Sequence, residues 1–258
     1  MSVSAAEART ATETPPSLAR RSWKSVITPV VLVLIVVALL AYVKSQKLDS
    51  IEKANLGLGY ILEKTWQHIE LTVAGTILVL IIALPLGVIL TRKGARYASP
   101  VVLMLANIGQ SAPAVGIIVL FAVAWQIGFW TAVLALTVYG VLPSLRNTMV
   151  GLQQVDPALI DAGRGIGMSA GGVLAKVEIP LAVPVILGGV RTTLVLMVGN
   201  AAIATFINGG GLGDIVVAGI NNQRPLVLIV GSGMIAVLAL LIDWVGGLLT
   251  QLFSPRGL

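Results

Sequence analysis

Long uncharged runs alternate with short polar segments along the chain, and the lengths of the runs predict membrane-crossing helices. About 20 residues at ~1.5 Å each are needed to cross a hydrocarbon layer of roughly 30 Å. By that measure spans are expected over 26–43, 71–90, 98–124, 128–146, 183–207 and 225–253. Residues 97–145 carry no charged side chain, and as one helix they would extend roughly 73 Å, more than twice the layer. They must therefore divide, and the expected turn is Trp125 to Trp130, where Gly128 breaks the helix and the tryptophans suit the interface. Pro85 and Pro113 read as interruptions inside spans, tolerated where neighbouring helices satisfy the freed backbone groups. The fold class expected is an all-α membrane protein with about six transmembrane helices.

The segments between spans set the orientation. Residues 1–25 are rich in Ala, Thr, Ser and Pro without apolar period, which predicts a disordered cytoplasmic N-terminal tail. The first apolar run is longer than a signal-peptide core and is followed by Lys44, Ser45, Gln46 and Lys47 rather than a small-residue cleavage site. With the N-terminus inside, five of the 17 Lys and Arg residues fall outside (Lys44, Lys47, Lys53, Lys64 and Arg224), and the rest, Arg191 among them, fall inside. That asymmetry places both termini in the cytoplasm. The outer segment 45–68 is amphipathic, and a helix resting at the surface is expected there.

Composition agrees with the pattern and closes off several chemistries. The chain of 258 residues is 57% hydrophobic and 11% charged, the profile of a polytopic membrane protein. It has no cysteine, so thiol catalysis, thiolate metal sites and disulfides are excluded. Its one histidine, His68, excludes a histidine cluster and reads as a boundary residue beside Trp66 rather than a proton relay. The net charge of +6 lies between spans, so no nucleic-acid partner is expected. No Gly-x-x-x-x-Gly-Lys-Ser/Thr loop occurs, so the chain has no nucleotide cradle of its own.

One polar stretch, residues 155–184, stands apart from the rest. Asp156 can cap a helix whose first position suits Pro157, and Ala158 to Arg164 then form one short helix. Gly163, Gly165 and Gly167 end it, and Ser169 caps a second short helix ending before Pro180. This helix, turn, helix unit lies at the cytoplasmic surface, where its task is to meet another protein.

Inside the spans, candidate chemistry is sparse. Asp243 is the ionisable group well within span six, and it either serves transport or pairs at a protein interface near Trp244. Asn107, Gln110 and Ser111 beside Pro113, with Asn200 and Asn208, either line a translocation pathway or make interhelical hydrogen bonds. The Gly209-Gly210-Gly211-Leu212-Gly213 run allows a sharp turn and a close approach to a neighbour.

The polar unit carries a resemblance. Asp161-Ala162-Gly163, three residues, Gly167, nine residues, then Val177-Glu178-Ile179-Pro180 resembles the EAA signature of permease subunits in bacterial ABC importers, Glu-Ala-Ala-x3-Gly-x9-Ile-x-Leu-Pro. Asp161, Gly163, Val177 and Ile179 depart from it while keeping charge or size class. From about residue 71 to 220, stretches such as Leu142-Pro143-Ser144-Leu145-Arg146-Asn147-Thr148 and Phe206-Ile207-Asn208-Gly209-Gly210-Gly211 are similar to the glycine betaine/carnitine/choline branch. The resemblance implies a MetI-like fold over 26–258 with a cytoplasmic coupling loop at 150–182. It implies that Asp161, Ala162, Gly163, Gly167, Val177, Ile179 and Pro180 dock an ATPase. The partners implied are two ABC ATPases that bind the ATP, an extracytoplasmic substrate-binding protein, and a second permease, identical or related. The chain itself would hold no cofactor or metal and catalyse no reaction. The expected function is import of a quaternary ammonium osmoprotectant across the bacterial plasma membrane. Another small zwitterion, or a stand-alone secondary transporter, is the alternative.

Overall fold

The computed structural model describes residues 18–253. Among them the chain forms eleven α-helices: α1 (Leu18–Ser45), α2 (Ser50–Leu56), α3 (Leu58–Thr91), α4 (Ser99–Ser111), α5 (Ala114–Ala124), α6 (Phe129–Gln153), α7 (Pro157–Gly165), α8 (Ala170–Val173), α9 (Ile179–Ala201), α10 (Gly213–Asn221) and α11 (Pro225–Phe253). A π turn, Leu174–Glu178, joins α8 to α9, and 3-10 turns cover Arg96–Ala98 and Ala202–Ile207. The tail expected over 1–25 lies outside the described residues up to residue 17, and its last eight residues begin α1 instead.

The core is built by α3, α6 and α9, which approach so closely that a side chain would not fit at the contacts. A Cβ on Gly140 of α6 would collide with Met197 of α9 and stand 2.8 Å from Val79 of α3. Gly87 of α3 meets Thr148 of α6 at 2.7 Å, and Gly189 of α9 meets Asn147 of α6 at 2.6 Å by the same measure. Small residues serve membrane bundles this way because packing, not hydrophobic burial, drives helix association in lipid. Between the glycines, Thr193 donates to the Gly140 carbonyl at 3.0 Å and lies 2.8 Å from the Ser144 hydroxyl.

These contacts fix the path of the chain. Gly75 of α3 faces Leu136 of α6 and Gly87 faces Thr148, so α3 and α6 run parallel. The segment between them must therefore return across the layer. It does so as α4 and α5, bent by 98° at Ala112 and Pro113. The 98–124 segment is thus a broken span, interrupted at Pro113 as its sequence suggests. Pro113 breaks it because Ala112 takes an extended conformation, with φ −70° and ψ 148°, as residues before proline do. The Tyr139 hydroxyl donates to the freed Ala112 carbonyl, and Tyr139 lies ten residues into α6, which puts the break near mid-depth. Pro85, by contrast, sits inside an unbroken α3.

Further departures concern the ends of spans. Residues 58–70 are not a separate surface helix but the first turns of α3, whose 34 residues extend roughly 51 Å. Only α2 lies apart, closed at its start by a reciprocal cap: Asp49 Oδ1 accepts from the Glu52 backbone N–H at 2.7 Å, and Glu52 accepts from the Asp49 N–H at 3.1 Å. That backbone N–H, and after it the Arg224 guanidinium 2.7 Å away, hold the Asp49 carboxyl below its ordinary range. The turn expected at Trp125 to Trp130 is present, with Gly128 at φ +134° ahead of α6.

His68, in the first third of α3, is enclosed by the bundle, whereas Trp66 is exposed. The histidine is fully buried, with Nε2 2.9 Å from the Val198 carbonyl and Nδ1 accepting from the Leu212 N–H at 3.2 Å. The second bond exists because Asn208, Gly210 and Gly211 all adopt positive φ and bring the loop down onto α3, where a Cβ on Gly211 would stand 3.0 Å from Nδ1. This is the close approach that the glycine run allows.

Candidate functional site

The polar unit is built by local capping. Asp156 Oδ1 accepts from the Ala158 N–H at 2.8 Å, and Pro157 occupies the first position of α7, where no amide hydrogen is needed. The helix ends in a Schellman arrangement: the Met168 N–H reaches the Gly163 carbonyl at 3.1 Å and Gly167 takes φ +88°. Ser169 then caps α8 through the Gly172 N–H at 3.2 Å. The second helix does not stop before Pro180, as its sequence suggests. It widens into the π turn and continues into α9, which takes Pro180 as its second residue, directly after the widened turn.

The signature positions divide into a packed set and an exposed set. Gly163 is buried, and a methyl there would meet Val173 at 3.4 Å, Met168 sulfur at 3.6 Å and Val177 at 3.7 Å, all ordinary contacts. Gly163 and Val177 thus hold α7 against the π turn. Asp161, with its side chain 75% exposed, Ala162, Gly167, Ile179 and Pro180 face outward. Beside them Ile166 is 78% exposed and Leu159 47%, two apolar side chains at the tip of a polar unit. Sequence reasoning passed over Ile166, whose signal is an isoleucine between two helix-ending glycines. Since alanine fits at Gly163 and gains up to about 1 kcal/mol of helix propensity, Gly163→Ala is expected to raise the thermal midpoint of the purified protein slightly. A lower midpoint would mean that α7 sits more tightly on the π turn than these contacts indicate.

The polar span residues fall in two places. Asn107, Gln110 and Ser111 share α4, where Gln110 donates to the Tyr139 carbonyl at 3.3 Å and Asn107 accepts from Arg146 at 3.2 Å. Asn107 and Ser111 also line an open hollow of about 570 Å³ with Leu103, Met104 and Ile108, just below the break at Pro113. Asn208 belongs to a different, polar cavity of about 300 Å³ at the far end of the bundle, with Lys64, Gln67, Glu70 and Phe129. Asn200 lines neither of these two cavities.

Three ion pairs were not legible in advance. Arg191 of α9, counted as a loop charge, lies within the helix and holds Asp243 of α11 through two bonds of 2.6 Å. Gly246 leaves room for its stem and Gly247 for its guanidinium, since Cβ atoms there would stand 3.0 Å from Cγ and 3.3 Å from Nη1. Asp243 is therefore paired within the chain. Arg92 at the end of α3 holds Glu178 at 3.0 and 2.6 Å, and Lys64 holds Asp214 at 2.7 Å. Among the described residues no group of three or more His, Asp or Glu side chains could hold a metal ion.

Comparison with known proteins agrees with this architecture. Residues 83–256 match the family described as binding-protein-dependent transport system inner membrane component. The chain is 40% identical over 202 residues to the glycine betaine/carnitine/choline transport system permease protein OpuCB of Bacillus subtilis, covering 78% of this chain and 91% of that one. It is 38% identical over 216 residues to the osmoprotectant import permease protein OsmW of Salmonella typhimurium, covering 82% of this chain and all of that one. Among solved structures it superposes on an inward-facing form of the MetNI methionine ABC transporter with a TM-score of 0.66 and 25% identity, covering 76% of this chain and 96% of that one.

Proposed function

This chain belongs to the family of inner membrane components of binding-protein-dependent transport systems, and on that premise we propose that it is the permease subunit of an ATP-driven importer of quaternary ammonium osmoprotectants. The likeness to osmoprotectant permeases over nine-tenths or more of their length carries this reading. A helix-turn-helix unit exposed beyond the bundle, on a chain without a nucleotide loop, supports it physically.

The roles follow from the geometry. Asp161, Ala162, Gly167 and Ile166 form the face that a cytoplasmic ATPase grips, with Gly163 and Val177 as its backing and Ile179 and Pro180 at its exit. Because α8, the π turn and α9 follow one another without a loop, movement of that face is passed toward α9. Closure of two ATPases on ATP draws two docked units together and tips a pair of permeases from inward-facing to outward-facing, and hydrolysis resets them. Substrate crosses between the two permeases past Asn107, Gln110 and Ser111, where the broken α4–α5 span leaves backbone groups at mid-depth. Irregular backbone at that depth is found where it is buried in protein or lines a cavity. Both termini are cytoplasmic in this arrangement. Selection among substrates rests with a separate binding protein, since aromatics suited to grip a quaternary ammonium make up 5% of the chain.

Uptake of labelled glycine betaine, choline and carnitine tests the reading, in cells lacking other importers and supplied with this permease, an ATPase and a binding protein. ATP-dependent uptake of at least one, requiring both partners, is expected. Failure of all three alongside a stable ATPase complex would keep the importer class and discard the osmoprotectant.

A further inference from the structure

Resting on the importer reading, we propose that the Arg92–Glu178 pair is the tie that carries movement of the docking unit into α3 as well as α9, so that the two helices turn together. Four observations meet at this point. Glu178 is the last residue of the π turn, directly behind the docking unit and directly ahead of α9. Its side chain is only 5% exposed, and both of its oxygens accept from Arg92, Nη1 to Oε1 at 3.0 Å and Nη2 to Oε2 at 2.6 Å. Arg92 is itself fixed, since it closes α3 and its Nε points at the Val88 carbonyl, 3.3 Å away. Among the described residues this is the one ion pair between the docking segment, residues 156–178, and the membrane helices.

The mechanics follow from these contacts. α7 rests on α8 and the π turn where Gly163 meets Val173 and Val177, so a push on α7 arrives one residue from Glu178. A π turn is wider than an α turn and is a place where a helix can give. Without a tie, the push would be taken up there or would displace α9 alone. A two-pronged guanidinium–carboxylate contact has little rotational freedom, and one held at both ends by its own helix joins the ends of α3 and α9 at the level where force enters. α3 in turn lies along α6 through Gly75 and Gly87, so the tie recruits the central three-helix core. Arg92 and Glu178 are positioning residues, since neither belongs to the ATPase-facing surface or touches substrate.

The test is coupling efficiency in the assembled importer, reconstituted with its ATPase and binding protein. Glu178→Gln is expected to leave the ATPase bound and hydrolysing while uptake falls about tenfold, so that ATP spent per substrate rises. Arg92→Gln should do the same, and the exchanged pair Arg92→Glu with Glu178→Arg should recover most of the loss. A solely structural pair would lower uptake and hydrolysis in proportion to the amount of folded complex. That proportional fall, or loss of the ATPase from the purified complex, would overturn the proposal, as would an unchanged ratio of ATP to substrate. Absence of ATP-dependent uptake by the unaltered chain would instead overturn the importer reading beneath it.

Discussion

Gly167→Val is expected to abolish ATP-dependent uptake while leaving the chain folded in the membrane. Gly167 sits at φ +88°, a conformation that costs an L residue about 1–2 kcal/mol and is worst for a β-branched one. No atom lies within 4 Å of a Cβ built there, so the substitution causes no collision with the bundle. Its whole effect falls on the turn. Relief of the strain opens the Met168 to Gly163 hydrogen bond and swings Asp161, Ala162 and Ile166 away from the face they share. Asp161→Lys reaches the same end by charge alone. The Asp161 carboxylate is 75% exposed and lies 3.9 Å from Arg164, an exposed pair worth ~0–1 kcal/mol, so reversing it scarcely touches the fold. For both variants the ATPase should fail to co-purify, uptake should fall to background, and the amount of permease in the membrane should stay near that of the unaltered protein. Uptake within twofold of the unaltered chain in either variant would remove these residues from the docking surface.

Why this unit could be read from sequence while other features could not is a matter of how far apart the partners lie. Every determinant of the unit's shape is local: Asp156 bonds two residues on, Ser169 three, and Gly167 answers a demand made by its own backbone. Gly128 and the turn before α6 belong to the same class. Only the end of the second helix departs from its local signal: Pro180 reads as a stop, yet the helix widens just before it and runs on into α9. The proline breaks show the limit of local rules. Pro85 and Pro113 look alike in sequence, yet α3 runs through the first and the chain turns 98° at the second. What distinguishes them is a partner 27 residues away, the Tyr139 hydroxyl, which satisfies the carbonyl freed at Ala112. Burial of His68 depends on Val198, 130 residues on, and the Arg92–Glu178 pair spans 86 residues. Arg191 reads as a loop charge for the same reason: nothing near it in sequence tells that Asp243, 52 residues later, makes a charge tolerable inside a span.

That last pair supports the second large effect. Arg191→Met alone and Asp243→Leu alone are each expected to lower the thermal stability of the detergent-solubilised permease markedly and to reduce its yield in the membrane. A lone charge on a span costs roughly 2.5–3.5 kcal/mol by insertion measurements, and breaking a buried pair costs a soluble protein about 3–5 kcal/mol. Both side chains are 40% exposed, but on spans that exposure is not to bulk water and does not offset the cost, which should be large enough to be seen. The double variant is the informative one. Methionine follows much the same path as the arginine stem over Gly246, and leucine opposite it leaves no charge in the layer. Replacing both partners by apolar groups of similar size is often neutral or stabilising, so Arg191→Met with Asp243→Leu should recover most of the stability that either single change removes. If it recovers stability but not uptake, the charges serve the transport cycle as well as the fold. Single variants as stable as the unaltered chain would show that α9 and α11 are held by packing alone.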